Sequence, residues 1–347
     1  MSSANPTSVG DNKLNSHVVD AARNYSQVTQ SRCVASIHSH SKEETQEEYR
    51  AVLTDLPERT IKHFSDPSQH MDSSVWDDFI YREGDIIIGA WAKTGTTWTS
   101  QILTQLVFKG VQPQANIHSI VPWLELQKGM AFGGEVLGYL DKLDHVRVIK
   151  THLPLNAIPY SPKARYVYVA RNGMDAALSK WNHHNSLVAA AREKFLVGPP
   201  VSFDVFWQGF CTSTGPYWDY FEHVNSWWKY RHVPNIYFLH FDDLKQDLPG
   251  SIRKLAAFCN LEVADEQTFQ TIVDHCTFEY MKKHEDLFTP PVVPVGSFIH
   301  QGKTGRWATE LSAEQKKEYD EVCKLKFPPD LVEWLNRPDE KRAVKTA

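Results

Sequence analysis

The chain is poor in several things, and each shortage excludes something. Cysteine is scarce: Cys33, Cys211, Cys259, Cys276 and Cys323 are the only five in 347 residues, and none forms a CxxC pair. That spacing supports neither a structural zinc site nor a disulfide framework, and it fits reduced thiols in a cytosolic compartment. Long hydrophobic runs are missing, and no segment approaches the length needed to cross a bilayer. The opening Met1-Ser-Ser-Ala-Asn-Pro-Thr7 has neither a basic nor an apolar stretch, so it does not read as a secretory signal. Positive charge is not in excess. A net charge of -5 gives no reason to propose nucleic acid or an anionic membrane as a partner. No carboxylate-rich ligand cluster is visible, so no metal is expected. These shortages leave a cytoplasmic protein of ordinary composition, 41% hydrophobic and 23% charged, long enough to bury a substantial core.

The distribution along the chain is uneven. Residues 1–45 are rich in Ser, Asn, Gln and Thr and hold few large apolar groups, which predicts a mobile polar tail. Residues 46–347 are expected to form a single domain, with order beginning between Gln46 and Phe64. Short β-branched or aromatic runs at Ile86–Ile88, Val146–Thr151, Arg165–Arg171 and Asn235–Phe241 predict strands. Helical patterns cover Trp98–Val107, Met174–Trp181, Phe203–Tyr230 and Ser251–Cys259, the last preceded by Pro249 as a first-turn residue. Strands alternating with helices predict an α/β fold, a central parallel sheet flanked by helices, with its ligand beyond the carboxyl ends of the strands. Residues 186–200 and 284–306 read as long loops of the kind that serve as lids.

The most informative stretch is Asp85-Ile-Ile-Ile-Gly-Ala-Trp-Ala-Lys-Thr-Gly-Thr-Thr-Trp98. An apolar strand empties into a turn holding Lys93, Thr94, Gly95, Thr96 and Thr97, and a helix follows at once. A helix N-terminus offers unpaired N–H groups and a positive dipole end. Gly95 permits close backbone approach, and Lys93 adds a mobile charge. Together they read as a phosphate-binding turn rather than an ordinary strand-to-helix turn with a surface lysine. The GxxxxGK[ST] pattern of ATP-binding loops is not met, because Thr94 stands at the second glycine's place and Lys93 precedes Gly95.

Two further segments carry chemistry. Lys150-Thr-His152-Leu-Pro follows a strand. A neutral imidazole there can take a proton from an incoming nucleophile, or His152 is simply structural. Lys150 either opposes a developing anion or faces solvent. Arg171 ends the third strand, and a buried arginine needs an anion. Its partner is either a ligand phosphate, with Ser179 eight residues on, or Asp175.

In this order the motifs resemble those of the cytosolic sulfotransferases, from about residue 60 to 325. Lys93–Trp98 is similar to that family's 5′-phosphosulfate loop, Arg171–Ser179 to its 3′-phosphate motif, Lys150–Pro154 to the segment with its catalytic histidine, and Gly302–Trp307 to its late glycine-containing loop. The resemblance implies a P-loop-like sulfotransferase fold and use of 3′-phosphoadenosine 5′-phosphosulfate (PAPS), with adenosine 3′,5′-bisphosphate (PAP) as product. It implies His152, Lys93 and Lys150 as catalytic residues. Cofactor contacts would come from Lys93, Thr94, Gly95, Thr96, Thr97, Trp98, Arg171, Ser179 and Phe278, with Phe241, Cys276, His300, Gln301 and Gly302 at further family positions. Three positions depart from the family pattern. His300-Gln301-Gly302 stands for Arg-Lys-Gly, Phe241 for a tyrosine and Cys276 for a threonine. The first removes two charges near the 3′-phosphate, for which Lys303 and Arg306 are candidate replacements.

The acceptor is expected to be a small molecule bearing a hydroxyl or amine. Candidate wall residues are Trp76, Phe79, Trp123, Phe132, Trp181, His183, Phe288 and Phe298, each of which also reads as plain core when taken singly. His183, His184 and Asn185 point to a polar, nitrogen-rich acceptor. Two other readings stay open. One is a nucleotide kinase of related architecture, and the other is a nucleotide-binding module without activity.

Overall fold

Four short parallel strands form the centre of the molecule. They are β1 (Ile86–Ala90), β2 (Val148–Thr151), β3 (Arg165–Ala170) and β4 (Ile236–His240), in the spatial order β2-β1-β3-β4. The computed structural model describes residues 56–61, 65–66, 71–126, 135–194, 197–214 and 218–337. The expected tail at 1–45 lies outside the described residues, as do Phe132 and most of the 46–64 interval.

Strand β1 is central and buried along its length, as a parallel strand covered on both faces must be. Side-chain alternation divides the core in two. Ile87, Ile149, Tyr166 and Tyr168 face one layer, with Trp207, Phe221 and Trp227 packed on them. Ile86, Ile88, Val167 and Val169 face the other, against Leu103, Leu106, Ile252 and Ile272. The helices of these layers are α1 (Thr96–Val107), α2 (Gly173–Asn185), α3 (Phe203–Cys211), α4 (Tyr220–Trp228), α5 (Leu248–Phe258), α6 (Glu266–His275), α7 (Phe278–Lys283), α8 (Ala313–Lys326) and α9 (Pro329–Asn336).

The strands and the first helices match the sequence expectation. Two segments differ, Phe203–Tyr230 and 186–200, while 284–306 is a loop as expected. The single helix expected over Phe203–Tyr230 is two. Helix α3 stops at Cys211, Ser213 takes a positive φ of 62°, and α4 restarts where the Asp219 carboxylate accepts from the Phe221 and Glu222 N–H groups. The loop expected over 186–200 contains a helical segment at Ala189–Lys194, built from an alanine-rich run. Residues 284–306 hold only the short turn Glu285–Leu287 as regular structure.

Candidate active site

All four strands deliver residues at their carboxyl ends to one cavity of about 830 Å³. Ala92 and Lys93 follow β1, Lys150 and His152 lie at the end of β2, Arg171 follows β3, and Phe241 follows β4. This is the edge where open parallel sheets hold ligands.

The turn after β1 is held open by its own backbone. Lys93 has φ 68° and Gly95 has φ 123°. A Cβ on Gly95 would lie 2.9 Å from Phe241 Cδ2 and 3.2 Å from Val169 Cγ2, so conformation and packing both require glycine. The Thr94 hydroxyl bonds the carbonyls of Trp91 and Val169 at 2.8 and 2.9 Å, which latches the turn to β3 and leaves only its backbone N–H for a ligand. Thr96 differs: its buried hydroxyl finds no partner among the described residues, and it lines the cavity. Lys93 Nζ stands 3.9 Å above the Phe298 ring, a cation–π contact. Burial, reinforced by the charges of Lys180 and Arg171, lowers its pKa to about 7.

Trp98 lines the cavity with its ring fixed. The indole N–H donates to the Cys276 carbonyl at 2.7 Å, and the ring edge meets Phe241 at 5.4 Å. The Cys276 side chain itself is fully buried and does not line the cavity, so only its carbonyl serves the site. Phe278 lines the opposite side. Gly302, with φ 59°, lies so close that a Cβ there would meet the Phe278 ring at 2.4 Å. Trp98, Phe241, Phe278 and Gly302 thus make a flat apolar slot.

Arg171 is buried and lines the cavity. Its guanidinium lies 4.6 Å over the Phe241 ring, donates to the Lys303 carbonyl at 2.9 Å and pairs with Asp175 at 3.6 Å. Both partners considered from sequence therefore remain in play. Arg171 bonds Asp175, yet its buried Nε finds no partner among the described residues. Burial is the main influence on its pKa and lowers it, while Asp175 raises it. Ser179, His300, Gln301, Lys303 and Arg306 line the same cavity. Arg306 is occupied by a two-pronged bond to Glu310, at 2.7 and 2.8 Å.

His152 is oriented by two bonds. Its Nδ1 donates to the Ala90 carbonyl at 2.7 Å, which leaves Nε2 as the acceptor nitrogen. Its own carbonyl accepts from His223 Nε2 at 3.1 Å, and the Tyr168 hydroxyl donates to His223 Nδ1 at 3.1 Å. The Trp123 ring stands edge-on at 4.7 Å. Burial, with a smaller contribution from the nearby cation Lys150, lowers the His152 pKa to about 3 against the bond to Ala90, so the ring is neutral at pH 7. Lys150 donates to His118 Nδ1 at 2.5 Å, and His118 Nε2 donates to the Phe288 carbonyl at 3.1 Å. Burial lowers the Lys150 pKa to about 7 against the opposing charge of Glu125.

The acceptor wall departs from expectation. Trp123, His183 and Phe298 line the cavity. Trp76 and Phe79 do not. They are core residues, stacked edge-to-face at 5.3 Å in a cluster with Tyr81. Phe288 is fully buried in the other core layer. Trp181 turns outward to donate to the Val201 carbonyl at 2.8 Å and packs on Phe203. In their place stand Trp91, Phe206, Phe210, Trp218 and Tyr220, together with His118 and Lys180. Phe206 and Phe210 share the i, i+4 spacing of α3, a signal visible in sequence but indistinguishable there from ordinary core periodicity.

The described residues contain no group of histidine, cysteine or acidic side chains able to hold a metal and no helix long and apolar enough to cross a membrane. The described cysteines are free and buried.

Comparison with known proteins agrees with this geometry. Mouse sulfotransferase 1B1 is 31% identical over 74% of this chain and 87% of its own length. Rat sulfotransferase 1A1 is 30% identical over 75% of this chain and 88% of its own. Among solved structures, mouse sulfotransferase SULT7A1 complexed with PAP superposes with a TM-score of 0.60 at 22% identity, over 76% of this chain and 91% of that one. Retinol dehydratase in a complex with retinol and PAP gives 0.56 at 22% identity, over 77% and 88%. The sulfotransferase domain family matches residues 83–337, which span the phosphate turn, His152, Arg171 and the late loop. This chain belongs to that family, and it is a sulfotransferase.

Proposed function

We propose that the protein transfers a sulfuryl group from PAPS to a hydroxyl or amine of a small-molecule acceptor, by in-line displacement with His152 as base. One observation carries the mechanism. The His152 Nδ1–H is bound to the Ala90 carbonyl, so the basic Nε2 is the nitrogen left for the cavity it shares with Lys93 and Lys150.

The residues present fit the donor. Two buried polar atoms without partners among the described residues, Thr96 Oγ1 and Arg171 Nε, belong to the residues that would take its 5′- and 3′-phosphates. Ser179 and Lys303 would add to the 3′ end, and Trp98, Phe241 and Phe278 would clasp the adenine. When bound, the donor supplies the sulfuryl group, which moves to the acceptor oxygen or nitrogen as the bond to the bridging oxygen breaks.

His152 Nε2 takes the acceptor's proton, and the ring gains basicity when an anion is held beside it. Lys93, Lys150 and the N-terminal N–H groups of α1 oppose the charge that grows on the leaving oxygen. The aromatic wall excludes water and orients the acceptor. SULT7A1 and retinol dehydratase were each solved with PAP, the nucleotide this reading requires as product. The acceptor reading stays broad: a polar, nitrogen-rich small molecule, favoured by His118, His183 and His184 on the cavity wall.

Transfer of labelled sulfate from PAPS to a panel of phenols, steroids, amines and alkaloids tests the reading and identifies the acceptor. Binding of ATP with magnesium in preference to PAP would overturn it.

A further inference from the structure

Helix α2 turns one face to the cavity, formed by Ser179, Lys180, His183 and His184. These positions fall at i, i+1, i+4 and i+5, the spacing of a single helical stripe. The mechanism above uses Ser179 and His183 but leaves Lys180 without a role. It is a half-buried lysine on a regular helix, opening on the cavity that holds Lys93, Lys150 and His152. Its charge is felt at Lys93, His152, His183 and His184. Those residues come from three different elements: the turn before α1, the end of β2 and the last turns of α2. All of them line one cavity, and Lys180 lines it too.

We infer that Lys180 is a third ammonium of the transfer centre and hydrogen-bonds the non-bridging oxygens of the sulfuryl group. This rests on the sulfuryl-transfer reading. The anions of the donor can be matched to the cations one by one. The 3′-phosphate answers Arg171, and the 5′-phosphate answers the Lys93 turn. The sulfonate remains, at the reactive end, where Lys180 lies. Burial lowers the Lys180 pKa to about 8, and its charge in turn lowers that of Lys93, so an anion held in the cavity they share would favour the charged form of both. A lysine suits the task, since its compact ammonium can follow oxygens that move during transfer. No bond forms or breaks at Lys180, and the acceptor proton still goes to His152.

Calorimetry on the full chain without acceptor, comparing PAPS with PAP, tests this. PAP lacks only the sulfonate. Lys180→Met is expected to lose roughly ten-fold or more in PAPS affinity and to keep its PAP affinity. Its kcat should fall by roughly 10²-fold, the low end for removing one donor from a preorganised anion site. Lys180→Arg should keep most of the PAPS preference, and Lys180→Gln replaces the Met variant if that does not fold. Equal weakening of both nucleotides, or a raised acceptor KM with kcat intact, would overturn the inference in favour of a packing or acceptor-binding role. Failure of the parent reading looks different: wild-type protein would then bind neither nucleotide.

Discussion

The Asp175 carboxylate accepts the backbone N–H of Gly305 at 2.7 Å, across 130 positions of sequence. The same carboxylate pairs with Arg171, whose guanidinium donates to the Lys303 carbonyl. One acid thus joins the first turn of α2 to the late loop, and it keeps the buried guanidinium compensated. The Arg171 end of the cavity is consequently one unit made from two distant segments.

Asp175→Ala should cost about 3–5 kcal/mol of stability, the range for leaving a buried charge without its partner. Thermal denaturation with and without PAP checks it. The nucleotide should stabilise the variant more than the wild type, because its phosphate replaces the missing anion. Equal stabilisation of both would show that the pair does not hold the site together.

His152→Ala should lower turnover by ~10²–10⁴-fold while PAP binding persists, since the ring acts on the acceptor proton and not on the nucleotide. Turnover with labelled PAPS and calorimetry with PAP separate the two. Normal turnover would remove His152 from the mechanism.

Nucleotide binding should take up protons near pH 8. Lys93 and Lys150 have pKa values lowered to about 7, and Lys180 to about 8, so all three are partly neutral there in the folded protein. An adjacent anion favours the charged form and raises each pKa. The folding linkage has a definite sign. A lysine depressed from 10.5 to about 7 makes the unfolded chain bind more protons between those values. Its contribution to stability is fully present above 10.5 and is lost as pH falls to 7. Calorimetry in buffers of different ionisation enthalpy should show uptake near pH 8 and much less at pH 6, with a smaller signal in Lys93→Met.

Gly95→Ala should cost ~1–3 kcal/mol and abolish tight nucleotide binding, because the residue sits at positive φ and the added methyl meets Phe241 and Val169. Chemical denaturation and PAP titration both report on it. A variant of normal affinity would show that the turn can shift without loss.

The double change His300→Arg and Gln301→Lys should tighten PAP binding, most clearly at low salt, by adding two cations beside the Arg171 end. Lys303→Ala should weaken it more than Arg306→Ala, because Arg306 is already engaged by Glu310. The reverse order would identify Arg306 as the substitute.

Much of this was legible in the chain. The run Ile86–Ile88 entering Lys93–Trp98 identified a strand, a glycine-bearing turn and a helix, because each depends on neighbours in sequence. The aromatic wall of the cavity was legible only in part: Trp123, His183 and Phe298 line it as expected. Trp76, Phe79, Trp181 and Phe288 were reasonable aromatics to place there, yet the fold sends them into core layers or outward. Trp91, Phe210 and Tyr220 reach the cavity only because α3 and α4 pack together at its edge. The break between those helices depends on a positive φ at Ser213 and the Asp219 cap, which an apolar periodicity running across both does not reveal.

Sequence alone determined the local chemistry: strand-to-helix turns, a glycine where only glycine fits, a histidine at a strand end. Those features are set by backbone geometry within a few residues. Tertiary structure decided which groups meet. It joined Arg171 to Lys303 and Asp175 to Gly305, oriented His152 through the carbonyl of Ala90, and brought Lys180 to the cavity that His152 lines. The physical reason is that hydrogen bonds and Coulomb forces act through space at a few ångströms, and only the packed sheet brings residues 60 to 130 positions apart that close.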